Sequence, residues 1–292
     1  MNLRGARIAV VGTGVMAEAM LAGLLARELV SASDIVCSHP RAERRQALAT
    51  RHSVAVTSSN REAVTGADII LLAVKPQVLP EVMLEIKPAI TNDQLVVSVI
   101  AGATSKAIGA GLGHAAVVRA MPNTPSQIGA GVTVWFATTA VDAAGRARAQ
   151  QMLAALGSEF EVHNERQVAM ATAVSGTGPT YIFLFIEALV DAAVRLGFPR
   201  HVARELVLDT MQGSVAFALQ SGKHVAELRD MVTSPGGTSA EALYHLEAGR
   251  LRTVVSDAVS AAFDRTLYLE AVLEGRDQPS SHGPRGDDRG GS

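Results

Sequence analysis

A hydroxyl- and glycine-rich segment in the last third of the sequence carries the residue types that bind a small anion. It runs from Val232 to Leu243, and the hydroxyls of Ser234, Thr238 and Ser239 flank a Pro-Gly-Gly turn. The turn begins a predicted helix, where the backbone N–H groups of Gly237, Thr238 and Ser239 can converge on a carboxylate. A plain N-cap explains one hydroxyl, whereas this segment holds four. The pattern therefore favours a ligand loop over a simple cap.

A glycine turn near the N-terminus has the G-x-G-x-x-A spacing of a dinucleotide-binding loop. Gly12 permits the tight turn, Gly14 lets the backbone approach a pyrophosphate, and Ala17 lets the next helix pack closely. The N-terminus of that helix favours the anion. An ordinary glycine turn is the alternative, but the position of this one at the head of a continuous α/β pattern favours dinucleotide binding. The segment comprises Gly12, Thr13, Gly14, Val15, Met16 and Ala17.

The residues that end the second predicted strand indicate which nicotinamide cofactor binds. An acidic residue there would hold a ribose 2′-hydroxyl and repel a 2′-phosphate, and the sequence has none. Ser38, His39 and Arg41 instead supply a hydroxyl, an imidazole and a guanidinium suited to phosphate. We therefore expect NADPH, with NADH as the weaker alternative. In the other interpretation, Arg41, Arg44 and Arg45 are only the solvated face of the next helix.

Three further segments have unusual residues for their places. Ala73-Val74-Lys75-Pro76 ends the fourth strand, at the sheet edge where ligands bind, and Lys75 either reaches the cofactor or is an exposed lysine beside a capped helix. The rigid polar loop Met121–Pro125 follows the sixth strand and is expected to line the nicotinamide pocket. Two glycines and a proline interrupt apolar helix at Ser175–Pro179, which is either a hinge or a ligand-facing segment.

The elements that would position these residues change character along the chain. Up to about His163, short β-branched runs alternate with helical patterns, as in βαβ units on a parallel sheet. After Asn164 only a 3.6-residue apolar periodicity remains, which predicts helices. These helices would leave apolar faces exposed in a monomer, so we expect a homodimer or a larger assembly. The predicted strands are Ile8–Val11, Ile35–Cys37, Val54–Val56, Ile69–Val74, Leu95–Val99, Val117–Ala120, Gly131–Ala137 and Glu159–Val162.

Composition narrows the class of protein. The chain of 292 residues is long enough for two domains, and its 26 basic and 28 acidic residues favour neither nucleic acid nor an anionic membrane as partner. The single cysteine, Cys37, forms no internal disulfide, and the histidines lack zinc-motif spacing, so we expect no metal and a reducing cytosol. The longest apolar stretch, Tyr181–Val194, contains Glu187 and Asp191 and is shorter than the roughly 20 residues of a membrane span.

The segment Asp230–Ser239 resembles the signature of the pyrroline-5-carboxylate reductase family. Gly12–Ala17, Ala73–Pro76, Met121–Pro125 and Ser175–Pro179 resemble the other motifs of that family, in its order and spacing. The resemblance spans residues 6 to about 273. It implies a Rossmann-type α/β dinucleotide-binding domain followed by an all-α dimerisation domain.

Domain bounds follow from the change of pattern. We expect the NADPH-binding domain at residues 1–163 and the helical dimerisation and substrate domain at 164–274. The polar tail, 275–292, has too few apolar residues to offset the entropy of ordering and is expected to be disordered.

The resemblance also implies an activity, the reduction of L-1-pyrroline-5-carboxylate to L-proline in the last step of proline biosynthesis. It implies a homodimer or a decamer of dimers, acting on a cyclic imino acid, and the cysteine content favours the cytoplasm. The implied cofactor contacts are Gly12, Thr13, Gly14, Val15, Met16, Ala17, Ser38, Arg41, Asn60, Ala73, Val74, Lys75 and Pro76, with Asn123 from the loop after the sixth strand. The implied substrate contacts are Ser234, Gly236, Gly237, Thr238 and Ser239, with Ser175 and Thr177 closing the pocket.

Catalysis by this resemblance falls to a hydroxyl. Ser239, or Thr238, would donate to the imine nitrogen. Many relatives carry two threonines here, whereas this chain has Thr238 followed by Ser239, which keeps the donor and loses the methyl group. Two other functions stay open. A β-hydroxyacid dehydrogenase would need a lysine between Asn164 and Leu196, where the sequence has none, and a nucleotide-binding scaffold would need no anion loop.

Overall fold

The computed structural model describes residues 3–276, and its first half is built on one twisted sheet. The strand order is β3-β2-β1-β4-β5-β6-β7-β8. All neighbours pair in parallel except β6 and β7, which are antiparallel. The strands are β1 Ile8–Val11, β2 Ile35–Ser38, β3 Ala55–Thr57, β4 Ile69–Leu72, β5 Leu95–Ser98, β6 Val117–Met121, β7 Gly131–Ala137 and β8 Gly157–Glu161.

Helices cover both faces of the sheet, and every regular element between β8 and residue 276 is helical. The helices are α1 Val15–Ala26, α2 Ala42–His52, α3 Asn60–Val64, α4 Leu79–Ile86, α5 Ser105–Leu112, α6 Ala143–Ala154, α7 Arg166–Ala171, α8 Gly178–Arg195, α9 Arg200–Ser221, α10 Val225–Met231, α11 Thr238–Ala248 and α12 Leu251–Leu273. Short 3-10 turns lie at Ala32–Asp34, Pro76–Val78, Lys87–Ala89 and Thr124–Ile128, and a π-helical turn at Thr172–Gly176.

Two apolar layers hold the sheet because successive strand side chains point to opposite faces. Ile8 and Val10 of β1 belong to the layer that contains residues of α1 and α6. Ala9 and Val11 belong to the other layer, which contains residues of α3, α4 and α5. The first strand is therefore buried on both sides, as its continuous apolar sequence predicts.

The predicted strands are present, and two of them differ by two residues at one end: β4 ends at Leu72 instead of Val74, and β8 begins at Gly157 instead of Glu159. Gly157 has a φ of 136° and lies against the backbone of Gly131 on β7, so a side chain there would collide with the neighbouring strand. Gly157, which lies outside the predicted strand, therefore belongs to the sheet.

The chain packs as two compact units. One runs to Thr177 and takes up the chain again from Ala262, and the other is Gly178–Ala261. The change of sequence pattern lies earlier, at 163/164. Packing extends the first unit because Val168 and Ala169 of α7 are buried and that helix contacts β6 and β7. The predicted disordered tail, 275–292, lies outside the described residues apart from its first two.

The second unit exposes many large apolar side chains. Phe183, Leu184, Phe217 and Val254 are each at least half exposed in the single chain. The helical run Arg166–Arg195 contains an 18-residue window with a mean hydropathy of 1.4 and is long and apolar enough to cross a membrane by length and composition. It is longer than the apolar stretch in the sequence because the π-helical turn joins α7 to α8. Such faces call for a partner surface.

Candidate functional site

The first candidate site is the turn between β1 and α1. Gly12 has a φ of 83°, and a Cβ on it would lie 2.9 Å from the Cα of Val74, so only glycine fits there. A Cβ on Gly14 would meet nothing within 4 Å. The backbone of Gly14 is therefore open to the approach of a ligand.

The N-terminus of α1 leaves backbone donors free at this turn. Gly14 is the N-cap and has no capping side chain, and the first helical hydrogen bond runs from Glu18 N–H to the Gly14 carbonyl at 3.0 Å. The N–H groups of Val15, Met16 and Ala17 therefore have no acceptor inside the helix. Three aligned donors at a helix N-terminus suit a pyrophosphate.

Ser38 and Asn60, which are 22 residues apart in sequence, meet at the carboxyl end of β2. The buried Ser38 hydroxyl donates to Asn60 Oδ1 at 2.7 Å. Asn60 Nδ2 in turn donates to Glu85 Oε2 at 2.7 Å, and the backbone N–H of Asn60 donates to Glu85 Oε1 at 2.9 Å. The structure thus brings together two predicted cofactor residues, and it adds the acidic Glu85, which the sequence pattern did not mark.

Arg41 follows Ser38 by three residues and is exposed. It is the N-cap residue of α2, and its backbone N–H donates to His39 Nδ1 at 3.1 Å. Burial lowers the pKa of His39, and the neighbouring charge of Arg41 lowers it further. The imidazole is therefore held neutral and Arg41 supplies the positive charge at this place. Arg45 donates to the His39 carbonyl at 2.8 Å and so braces the turn.

Arg44 is a residue that the sequence interpretation missed. It was grouped with the solvated face of α2, but its Nε donates to the Thr13 carbonyl at 3.0 Å and its Nη2 donates to Glu18 Oε2 at 2.6 Å. Arg51 lies seven residues later on the same face of α2 and also binds Glu18. That two-turn spacing of arginines was the available signal.

The segment after β4 lies beside the glycine turn. Val74 contacts Gly12, and the Ala73 N–H donates to the Val11 carbonyl at 2.9 Å. Lys75 is exposed and accepts on its carbonyl from the Val78 N–H at 3.1 Å. The predicted helix start at Pro76 is a 3-10 turn, Pro76–Val78, before α4 begins.

Asn123 fastens the loop after β6 to the π-helical turn. Its Nδ2 donates to the Ser175 carbonyl at 3.1 Å, and its Oδ1 accepts from the Val132 N–H at 2.9 Å. The Ser175 hydroxyl donates to the Ala171 carbonyl at 3.0 Å, and the Thr177 hydroxyl donates to the Thr172 carbonyl at 2.9 Å. These side chains therefore shape the backbone here, and contact of any of them with a ligand stays a prediction.

The second candidate site, the loop before α11, lies in the helical unit. Gly236 has a φ of 69°, and the Gly237 N–H donates to the Ser234 carbonyl at 3.0 Å. The Gly237 N–H is thus engaged, so the free amides of this helix start are those of Thr238, Ser239 and the next residue. The sequence interpretation used the Gly237 amide, and the structure shifts the donor set by one residue.

One of the four hydroxyls of this segment serves the backbone. The Thr233 hydroxyl donates to the Arg229 carbonyl at 2.7 Å. Thr238 is exposed and Ser239 is half-buried. Gly237 is the N-cap residue of α11, and no side chain accepts a hydrogen bond from the first amides of that helix as a cap. The amides of this helix start and its two adjacent hydroxyls can therefore donate to an anion, and such binding stays a prediction.

Potential metal ligands do not cluster in the part of the chain that the structure describes. No group of three His, Cys, Asp or Glu side chains within residues 3–276 could hold an ion. Burial raises the pKa of the Cys37 thiol to about 12, so it is no nucleophile at neutral pH. The sheet and the glycine turn define a class, a Rossmann-type dinucleotide-binding protein, and its second, helical unit contains the uncapped, hydroxyl-flanked start of α11.

Known relatives narrow this class. A pyrroline-5-carboxylate reductase of Pseudomonas aeruginosa is 40% identical over 268 residues, which cover 91% of this chain and 98% of that protein. One of Mycobacterium leprae is 41% identical, with 92% and 98% covered. The chain belongs to the pyrroline-5-carboxylate reductase family, and the resemblance in its motifs is confirmed.

Family models and solved structures agree with this assignment. The model described as pyrroline-5-carboxylate reductase dimerisation matches residues 165–269, and one described as NADP oxidoreductase, coenzyme F420-dependent, matches residues 7–102. The Coxiella burnetii pyrroline-5-carboxylate reductase has a TM-score of 0.83 at 36% identity, covering 90% of this chain and 98% of that one. The Plasmodium falciparum enzyme with NADP bound has a TM-score of 0.84 at 29% identity, covering 91% and 98%. The predicted fold class is confirmed, and the helical half is an oligomerisation domain.

Proposed function

We propose that this protein reduces L-1-pyrroline-5-carboxylate to L-proline with NADPH, the last step of proline biosynthesis. The observation that carries the proposal is the uncapped, hydroxyl-flanked start of α11 in a chain that also has an open G-x-G-x-x-A turn. The first offers an anchor for the carboxylate of a small amino acid, and the second an anchor for a dinucleotide. Membership of the family supplies the reaction that joins the two.

The residues around the glycine turn fit the parts of NADPH. The free amides of Val15, Met16 and Ala17 would take the pyrophosphate. Arg41, Ser38 and Asn60 would take the 2′-phosphate, because no carboxylate follows β2 directly and the Arg41 guanidinium is exposed. When bound, NADPH supplies the hydride. NADH lacks the 2′-phosphate and is expected to bind more weakly.

The substrate loop would hold and polarise the imine. The amides of Thr238 and Ser239 bind the carboxylate, which fixes the face of the ring, and hydride transfer then requires reacting atoms at about 3–3.5 Å. The imine carbon would gain the hydride from NADPH, which leaves NADP⁺, and the imine nitrogen would gain a proton from water. Ser239, or Thr238, donates a hydrogen bond to that nitrogen and makes the carbon electrophilic. No strong acid is needed.

Two other functions have less support. A β-hydroxyacid dehydrogenase needs a lysine in its long helix, and the run Arg166–Arg195 has none. A scaffold that only binds nucleotides would have no use for the free amides of α11.

An assay separates these functions. The absorbance of NADPH is followed with and without synthetic pyrroline-5-carboxylate, and the assay is repeated with NADH and with a 3-hydroxy acid plus NADP⁺. We expect turnover only with the cyclic imine and a higher kcat/KM with NADPH. Folded protein that binds NADPH and turns over no imine would support the scaffold instead.

The assembly and location belong to the same proposal. We infer a homodimer through the helical half, or a decamer of such dimers, in the cytoplasm, without nucleic-acid or membrane partners. The exposed apolar side chains of α8 and α9 support a protein partner, since 30 residues of apolar helix lie in the region matched by the dimerisation family.

A further inference from the structure

Arg44 joins two elements at the glycine turn. Its Nε donates to the Thr13 carbonyl at 3.0 Å, and its Nη2 donates to Glu18 Oε2 at 2.6 Å. Arg44 and Glu18 are both mostly shielded, with 24% and 19% of their side chains exposed. A planar guanidinium held by two acceptors has little freedom to turn elsewhere.

The position of Thr13 gives this contact its meaning. Thr13 lies between Gly12, which has a left-handed φ, and Gly14, which lacks a side chain, so the turn has few restraints of its own. The peptide bond between Thr13 and Gly14 is planar and trans, so its carbonyl and its N–H point in opposite directions. Holding the Thr13 carbonyl toward α2 therefore turns the Gly14 N–H away from α2.

Glu18 fixes Arg44 and cancels its charge. Glu18 accepts hydrogen bonds from Arg44 and Arg51 and lies 3.2 Å from Nε2 of His52. A guanidinium engaged in this way differs from that of Arg41, which is exposed at the start of α2. The carboxylate of Glu18 one turn into α1 would otherwise oppose an anion at that helix start.

We propose that Arg44 is a positioning residue for the dinucleotide, which acts through the Thr13 carbonyl to orient the Gly14 N–H toward the pyrophosphate. Glu18 holds Arg44 in this role. The proposal rests on the proposed function for the identity of the dinucleotide. It distinguishes Arg44 from a ligand of the 2′-phosphate, since a positioning residue for the pyrophosphate serves NADPH and NADH alike.

Arg51 offers a matched control. Arg44→Met and Arg51→Met each remove one ion pair with Glu18, but only Arg44 bonds the glycine turn. Dissociation constants of NADPH and NADH are measured by calorimetry on the full chain without substrate. We expect Arg44→Met to raise both constants on the order of tenfold, the loss of one hydrogen bond from a charged donor, and to leave their ratio unchanged. Arg51→Met changes neither by more than about twofold, as expected for an exposed pair.

Three results would overturn the role of Arg44. If the dissociation constant rises for NADPH alone in Arg44→Met, Arg44 is a ligand of the 2′-phosphate. If Arg44→Met and Arg51→Met weaken binding equally, the effect comes from the loss of an ion pair with Glu18. If neither constant changes in Arg44→Met, Arg44 does not position the dinucleotide. Should Arg44→Met fail to fold, Arg44→Lys is measured instead. A lysine ammonium cannot bond the Thr13 carbonyl and the Glu18 carboxylate in the geometry of the planar guanidinium, so we expect it to weaken the binding of NADPH and NADH equally, but less than methionine does. Wild-type protein that binds neither nucleotide contradicts the proposed function itself, which separates the two failures.

Discussion

The two adjacent hydroxyls at the start of α11 differ in their surroundings. Thr238 is exposed and Ser239 is half-buried, and neither hydroxyl is engaged as the cap of the helix. A half-buried donor loses less to competition from water, so Ser239 is the better candidate to polarise the imine. The serine lacks the methyl group that stiffens a threonine side chain.

Removal of the Ser239 hydroxyl tests this assignment. Ser239→Ala is expected to lower kcat by about tenfold to a hundredfold through loss of the donor, and Ser239→Thr to keep it. Steady-state kinetics with pyrroline-5-carboxylate at saturating NADPH measure the change. Thr238→Ala serves as the matched variant. An unaltered kcat in Ser239→Ala, with a loss in Thr238→Ala, would move the role to Thr238.

Glu18 gives the protein a pH-dependent contribution to stability. Partial burial acts to raise the pKa of its carboxyl, but hydrogen bonds from three basic neighbours outweigh burial and lower the pKa from 4.5 to about 2. Because the folded pKa lies below the unfolded one, the unfolded chain takes up the proton first as the pH falls. The stabilisation that Glu18 contributes is therefore complete above about pH 4.5 and is lost progressively as the pH falls toward about 2.

Glu18→Gln is expected to show this window. Its melting temperature should lie below that of wild type at pH 6, and the difference should narrow as the pH falls below about 4.5. Thermal unfolding followed by circular dichroism at a series of pH values measures it. A difference that stays constant from pH 6 to pH 3 would show that Glu18 stabilises through packing alone.

At the scale of elements, one buried arginine fastens three segments together. Arg119 of β6 is 3% exposed and donates to Glu165 at 3.2 Å and to Glu270 of α12 at 2.6 Å. Glu165 also accepts from the Ser105 N–H at 2.6 Å, at the start of α5. β6 therefore binds both the segment at Glu165 and the C-terminal part of α12.

Arg119→Met is expected to destabilise the protein by about 3–5 kcal/mol, because two shielded carboxylates lose their cation. Guanidinium-chloride unfolding measures the free energy, with Arg200→Met, which breaks the exposed pair with Asp191, as the control. The control should change by less than about 1 kcal/mol. If Arg119→Met lowers the free energy of unfolding by no more than the control does, the buried ion pairs of Arg119 do not stabilise the fold.

Elements were more predictable than the contacts between them. Runs such as Ile69–Leu72 are buried on both faces and carry that environment in their composition, so each strand could be found. The loops of the site could be found because parallel strands end at one edge of the sheet. The sequence did not predict the π-helical turn at Thr172–Gly176 or the contact of Arg44 with the Thr13 carbonyl. Each depends on partners that local periodicity does not encode.

At the scale of the whole molecule, the exposed apolar face of the helical unit predicts assembly. Phe183 and Leu184 of α8 are 59% and 66% exposed in the single chain. Sedimentation analysis is expected to give a dimer or a multiple of it, and Phe183→Asp to weaken association, since a buried phenylalanine contributes about 1.5–3 kcal/mol. Glu187→Gln on the same helix controls for the change in charge. A wild-type monomer at micromolar concentration would contradict the prediction.

The family was predictable from five motifs that occur in its order and spacing, and the relatives confirm it. The boundary between the two units at Thr177 was not predictable from the sequence, because α7 has a helical pattern yet packs with the sheet. Sequence periodicity reports the type of an element, whereas packing decides which unit it joins.

Transfer of the hydride itself tests the central claim most directly. NADPH that carries deuterium on the transferred position of nicotinamide C4 is incubated with the protein and pyrroline-5-carboxylate, and the product is analysed by mass spectrometry. The account predicts L-proline heavier by one mass unit, with the label on the former imine carbon. Unlabelled proline, or no proline from protein that binds both ligands, would contradict it.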